Sequence, residues 1–347
     1  MNNNIFENRI KRDGKTCVPV WFMRQAGRYH SHYQAIKKNS DFMTMCKNPK
    51  LACEVTLGPI HDFKFDAAIL FSDLLFPLEI LGMGLNYLQG PPKLAFHLDH
   101  KENFQKLRIT EPAEKYFAFQ GEACKLLRKE LPAQTSLIGF VGAPFTLYTY
   151  ATEGAHNGNL VASKQGLING LFDNFYNLLK APLLTEMKIQ ADNGAEAIAL
   201  FDTAAGELCQ SDYHRYIIPK LADSISSFKK MCPNTKIIYY SKFTQIGHLK
   251  PLRDLPIDVL GVDWRCNLVE VFQNFADKFY IQGNIDPIWL HLPWKNLEAN
   301  LIDYKKSLED KIDMSKWIFG LGHGVTIETP EENVRGAVDW VHRSLRY

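Results

Sequence analysis

AAILFSD (67–73) and AIALFDT (197–203) share one design: five apolar residues, then an abrupt polar turn that carries an aspartate. A short run that is apolar at every position reads as a parallel strand buried on both faces, because a half-exposed strand would alternate. Six further runs of this kind flank them, Val18–Met23, Ser136–Val141, Lys236–Tyr240, Val259–Trp264, Phe279–Gln282 and Trp317–Leu321. Helical spacing fills 51–63, 103–131, 164–192, 213–231 and 268–276 between them. Eight strands alternating with helices predict an α/β fold, a single (β/α)8 TIM-type barrel over 1–347; an open doubly wound sheet is the structural alternative. Gly84–Leu98, with Gly90-Pro91-Pro92 at its centre, reads as an early hairpin insertion. Residues 1–14 read as a polar, frayed lead-in.

The composition bounds the function. The 347 residues are 46% hydrophobic and carry a net charge of +2, so nothing global points to nucleic acid or an anionic membrane. An anionic partner must be met by a local cluster of cations. Seven cysteines, an odd number with no C-x-x-C pair, argue against a disulfide framework and a cysteine-only zinc site. No stretch approaches the ~18 apolar residues of a membrane span, and the N-terminus has no signal-peptide h-region. A cytoplasmic enzyme is the expectation.

In a barrel, the residues just after each strand build the active site. Here they form a ring of polar residues and glycines. Arg24 and Arg28 flank the turn Gln25-Ala26-Gly27, a pattern suited to clamping carboxylate or phosphate, although such a pair can equally be a solvated loop. Asp73 follows Ser72, and Asp202 with Thr203 repeats the arrangement; each could bind a ligand or simply cap a helix. His323 sits between Gly322 and Gly324 in a loop able to form an anion-binding nest. Thr329-Pro330-Glu331-Glu332 reads as a capping box opening the last helix. The chain has no H-E-x-x-H, H-x-C or G-x-S-x-G, and His30-Ser-His32 lacks an evident third ligand. These residues support an enzyme that grips an anionic ligand without metal or nucleotide.

PVWFMRQAGRY (19–29), ILFSDLLFPLEILGMG (69–84), GFVGAPFTLYTYATEG (139–154), LFDTAAGEL (200–208), QGNIDP (282–287) and FGLGHGVTIETPEENV (319–334) together resemble the uroporphyrinogen decarboxylase family, in order and over nearly the whole chain. The resemblance implies a cofactor-free carboxy-lyase of haem synthesis, a homodimer that converts uroporphyrinogen III to coproporphyrinogen III. It implies that Arg24, Gln25, Ala26, Gly27 and Arg28 grip substrate carboxylates and that Asp73 accepts the pyrrole N–H groups. It places Tyr150, Thr203 and His323 at the remaining substrate contacts. It leaves the proton donor open among Tyr150, His323 and water, since guanidinium, with a pKa above ~12, is a poor acid.

The chain departs from the family after the arginine loop. Where relatives usually read RYLPEYR, it has Arg28-Tyr29-His30-Ser31-His32-Tyr33-Gln34. On this reading His30 and His32 lie near the carboxylate rim and supply conditional positive charge. Two other classes compete with the decarboxylase. Cobalamin- and methionine-synthase-related methyltransferases share the fold but hold zinc through a His-x-Cys pair, which is missing here. A non-catalytic tetrapyrrole-binding protein would keep Arg24, Arg28 and Asp73 but release no carbon dioxide.

Overall fold

The computed structural model describes residues 11–12, 15–87, 90–156 and 158–347. The lead-in over 1–14 lies outside these residues, apart from Lys11–Arg12, which pair antiparallel with Lys15–Thr16.

Seven strands form one sheet: β1 (Ala67–Ile69), β2 (Ser136–Gly142), β3 (Ala197–Asp202), β4 (Lys236–Ser241), β5 (Val259–Gly261), β6 (Tyr280–Ile285) and β7 (Trp317–Leu321). Each pairs with the next in chain order, and every pair is parallel. Strand alternation sorts the side chains into two cores. Ala197, Ala199 and Phe201 join Ile138, Ile238, Tyr240 and Ile318 inside the curled sheet. Ile198 and Leu200 point the other way, into the larger layer between strands and helices. Burying each Leu, Ile or Phe of that layer contributes roughly 1.5–3 kcal/mol.

The first apolar run fills the position between β7 and β1 without becoming a regular strand. Val20 bridges Phe319 in parallel; Phe319 N–H donates to Pro19 O at 2.8 Å and Trp21 N–H to Phe319 O at 3.3 Å. On the other side Asp66 N–H donates to Val20 O at 3.0 Å, and Asp66 Oδ2 accepts Val20 N–H at 2.9 Å. Pro19 has no N–H to give, which interrupts the ladder. Gln25, fully buried, extends the join with its side chain: with the amide oriented to suit its neighbours, it donates to Ala67 O and accepts from Ile69 N–H.

The helices that pack outside are α1 (Ser31–Lys37), α2 (Pro49–Phe63), α3 (Ala118–Glu130), α4 (Pro144–Glu153), α5 (Leu171–Asp192), α6 (Ile218–Met231), α7 (Leu268–Phe275), α8 (Trp294–Leu308) and α9 (Glu331–Ser344). Three expectations need correction. The helical stretch over 103–131 is broken before α3: a 3-10 segment ends at Lys106, and Pro112 then caps a short turn of helix over Ala113–Tyr116. In place of a regular hairpin over 84–98, the described residues show one antiparallel bridge, Asn86 with Lys93. The capping box before α9 does not form: Pro330 is the N-cap, and the Thr329 hydroxyl instead meets Thr326 Oγ1 at 3.0 Å. Among the described residues no helix is long and apolar enough to cross a membrane.

Candidate active site

The C-terminal ends of the strands bring one set of polar side chains to a common mouth. Arg24 leaves the first run with φ 57°, a left-handed conformation that a non-glycine residue adopts at a cost of about 1 kcal/mol or more. Its neighbours hold it there. Gln25 is buried in the join with β1, and Val325 N–H donates to Met23 O at 2.9 Å. Gly324 leaves room for the arginine stem, since a Cβ there would lie 2.5 Å from Arg24 Cδ. Ala26 packs against Tyr33, Met45 and Val55, and Gly27 O accepts from His30 N–H. Arg28 is exposed like Arg24, and its charge acts on Tyr33.

Asp73, past the end of β1, is only 7% exposed. Oδ1 accepts Leu75 N–H at 2.6 Å and Oδ2 accepts the Tyr87 hydroxyl. Burial pushes the carboxyl up to about 6, against the pull of these two hydrogen bonds, and Glu79 adds to the rise. At neutral pH it is therefore mainly ionised. No cation pairs with it in any ion pair among the described residues.

Cations gather instead around the two mouth imidazoles. His323 Nδ1 accepts Gly324 N–H at 2.6 Å, which leaves Nε2 to carry the proton and donate. Burial, then Arg24, Lys242, His156 and Arg265, pull this imidazole down to about 3. His156 Nδ1 lies 2.6 Å from the Tyr150 hydroxyl, and burial, Lys242 and Arg24 pull His156 down to about 4. Burial lifts the Tyr150 phenol to about 12 and Asp73 adds to the rise, while Arg24 opposes it. Lys242 is itself lowered by burial, Arg265 and Arg24, with Asp263 and Glu207 in partial compensation. Phe243, at φ 63°, has Lys242 Nζ 4.3 Å and the Arg265 guanidinium 4.1 Å from its ring centroid. The mouth thus combines crowded positive charge, two neutral imidazoles and one buried carboxylate. Among the described residues Arg265 pairs with Asp263 Oδ2 at 3.3 Å, whereas Arg24 and Lys242 have no ion-pair partner, so the mouth favours an anion.

Arg24, Asp73, Tyr150 and His323 are brought together, as their mutual electrostatic effects record. Thr203 sits just past the end of β3, and its Oγ1 is buried with no hydrogen-bond partner among the described residues. His30 and His32 do not reach the mouth. His30 is fully buried against Phe63 with Nε2 2.7 Å from Asp62 Oδ2, and His32 packs against Gly58 of α2. The helix α1 that begins after His30 carries these rings inward, so the charge expected at the rim is absent there. Sequence reading also missed Tyr87, His156 and Arg265. Arg265 follows the β5 run directly, so the rule that found Asp73 applies to it; Tyr87 and His156 carry no such signal. Among the described residues no three His, Cys, Asp or Glu side chains come together in a way that could hold a metal ion, and all seven cysteines are free.

Comparison with known proteins adds independent information. A family model described as uroporphyrinogen decarboxylase matches residues 1–344. Uroporphyrinogen decarboxylase of Roseiflexus sp. (strain RS-1) is 35% identical over 348 residues, covering 99% of each chain. The protein of that name from Geobacter sulfurreducens is 36% identical over 329 residues, covering 94% of each. Among solved structures, a methyltransferase from Methanosarcina mazei superposes with a TM-score of 0.70 at 16% identity, covering 94% of each chain. A putative vitamin-B12 independent methionine synthase from Listeria monocytogenes gives 0.55 at 14% identity, covering 95% of each. At such identities these two structures establish a shared fold and nothing about the reaction.

Proposed function

The chain belongs to the uroporphyrinogen decarboxylase family, and we propose that it removes the four acetate carboxyls of uroporphyrinogen III as carbon dioxide to give coproporphyrinogen III, without a cofactor. The observation that carries this reading is the pairing of a buried, cation-free carboxylate, Asp73, with a mouth of poorly compensated positive charge. A porphyrinogen is the complement of such a site. It presents inward-pointing pyrrole N–H donors at its centre and carboxylates at its rim.

Arg24 and Arg28 grip peripheral carboxylates, with the Gln25-Ala26-Gly27 turn holding the two apart. Charge-assisted hydrogen bonds of this kind contribute roughly 1.5–3 kcal/mol each. Asp73 accepts pyrrole N–H groups, and the neutral Nε2–H of His323, the Tyr150 hydroxyl and the unpartnered Thr203 hydroxyl contact substrate oxygens. Protonation of the pyrrole α-carbon next to the ring carbon that bears an acetate arm makes the ring cationic. The bond to the carboxylate then breaks, carbon dioxide leaves, and the electron pair returns to the ring. The exocyclic methylene takes a proton as the ring carbon gives up the one it gained, so one proton is consumed per carbon dioxide. A carboxylate fixed beside the pyrrole nitrogens stabilises the cation with little reorganisation.

The same reading makes the whole chain one barrel domain, acting as a homodimer in the cytoplasm. Sedimentation would test the dimer. The activity is tested by incubating the protein with uroporphyrinogen III under reducing conditions and separating the oxidised products by carboxyl number. Coproporphyrin is expected to accumulate. Unchanged uroporphyrin would reject the decarboxylase, and stoichiometric, tightly bound zinc in such an inactive protein would favour a methyltransferase.

A further inference from the structure

Each carbon dioxide released consumes a proton, so the group that protonates the substrate must be refilled between four successive steps. His156 is placed to govern that supply. Helix α4 carries Tyr150 in its last turn, and Gly154, left-handed at φ 72°, reverses the chain immediately after. The reversal returns His156 to Tyr150, with 2.6 Å between Nδ1 and the phenol oxygen and 5.2 Å between ring centroids. On the basis of the decarboxylase reading, we propose that His156 is a positioning residue that acts through Tyr150, taking a proton from solvent when a polycarboxylate fills the mouth and passing it to the Tyr150 oxygen as Tyr150 protonates the pyrrole carbon.

The hydrogen bond itself supplies the logic. While His156 is neutral with Nδ1 unprotonated, the Tyr150 O–H must donate to it and points away from the substrate. Protonation of Nδ1 reverses the bond: the imidazolium donates to the phenol oxygen, and the Tyr150 proton is freed for the mouth. During the transfer Tyr150 loses one proton to carbon and regains one from Nδ1, and His156 returns to its neutral form. The charged and titratable groups acting on His156 are Lys242 and Arg24, and His156 in turn acts on His323; Asp73 and Arg24 act on Tyr150, and His97 Nε2 stands against Gly154. In the empty mouth the cations and burial keep His156 neutral. Substrate carboxylates neutralise those cations and make protonation favourable, so arrival of substrate arms the donor.

The test compares His156→Asn, whose amide oxygen can still accept from Tyr150 but takes up no proton, with His156→Phe, which keeps a ring. In either variant kcat should fall about 10²-fold, the lower end of general acid–base contributions, with KM unchanged. The wild-type kcat should decline as rising pH deprotonates His156 in the complex, and this limb should be missing from the variants. Adding His156→Asn to Tyr150→Phe should cause no further loss. A kcat within twofold of wild type in whichever variant folds, a pH profile parallel to wild type, or losses that add in the double variant would overturn the proposal. A wild type that forms no coproporphyrinogen sinks the decarboxylase reading as well, whereas an active wild type with an equally active His156→Asn rejects only this inference.

Discussion

Asp202 ends a buried strand and Asp73 follows one, and burial pushes both carboxyls up to about 6. Their surroundings differ completely. Asp202 ends β3 one residue after the inward-facing Phe201, so strand alternation turns it outward. There Thr146 Oγ1 donates to Oδ1 and Tyr239 Oη to Oδ2, both at 2.9 Å, with Tyr213 2.7 Å behind Tyr239. Asp73 lies in the loop beyond β1, bonded by Tyr87 and Leu75 but electrostatically linked to Tyr150 at the mouth. Burial and a raised pKa therefore do not by themselves mark a catalytic group. What separates the two is the company each carboxylate keeps: hydroxyls from packed elements around Asp202, the charged mouth beside Asp73.

The sharpest way to break this contrast is Asp73→Asn. Asn keeps the size and one acceptor but loses the charge that faces the cationic ring. Removing one preorganised group of this general kind costs ~10²–10³ in rate. We expect kcat for uroporphyrinogen III to fall by that order in a steady-state product assay, with the thermal midpoint no lower than wild type. A near-normal kcat would move Asp73 into the same structural category as Asp202.

Asp202→Asn should do the reverse, lowering unfolding free energy near pH 4 by about 1–3 kcal/mol through its buried hydroxyl network while kcat per folded molecule stays close to wild type. The pH dependence sharpens this expectation. The folded carboxyl, at about 6, binds a proton more tightly than the unfolded one at 3.8. Its contribution to stability is therefore fully present below about pH 4 and is lost as pH rises through 6. The gap between wild type and Asp202→Asn in urea unfolding should be widest near pH 4 and narrow by about 2–3 kcal/mol toward pH 7. A gap that widens with pH would contradict the assigned direction.

Much of this arrangement could be read from the chain before its structure. The strand runs were legible because apolar residues at every position have few alternatives to a doubly buried strand, and each run led directly to its mouth residue. Arg24, Asp73, Thr203 and His323 follow strand runs and obey the barrel rule as well as the motif resemblance, whereas Tyr150, in the last turn of α4, was reached through the resemblance alone. What stayed hidden depends on contacts between distant segments. Nothing local announces that Tyr87 will bond Asp73 from fourteen residues away. His30 looked like a mouth residue because it is two positions from Arg28, yet Asp62 of α2 and the Phe63 ring take it inward. Pro19 hides the irregular first strand in the same way, since its apolar neighbours read as regular while its missing N–H breaks the ladder.

The smallest expected effects come from the outer cations. Lys242→Met and Arg265→Met should each raise KM about two- to fivefold and weaken its dependence on salt, as fits partly exposed ion pairs of ~0.4–1 kcal/mol. In the same assays kcat should hold. A large fall in kcat with unchanged KM would place these side chains with Asp73 rather than at the rim.

The most direct test of the contrast follows both carboxyls in one sample, by carboxyl-carbon NMR titration of aspartate-labelled protein with and without coproporphyrinogen III under reducing conditions. Pyrrole N–H donors favour the charged form of the carboxylate they meet. The account predicts that the tetrapyrrole lowers the Asp73 titration from about 6 and leaves that of Asp202 where it was. An unmoved Asp73, or a shift at Asp202 alone, would contradict it.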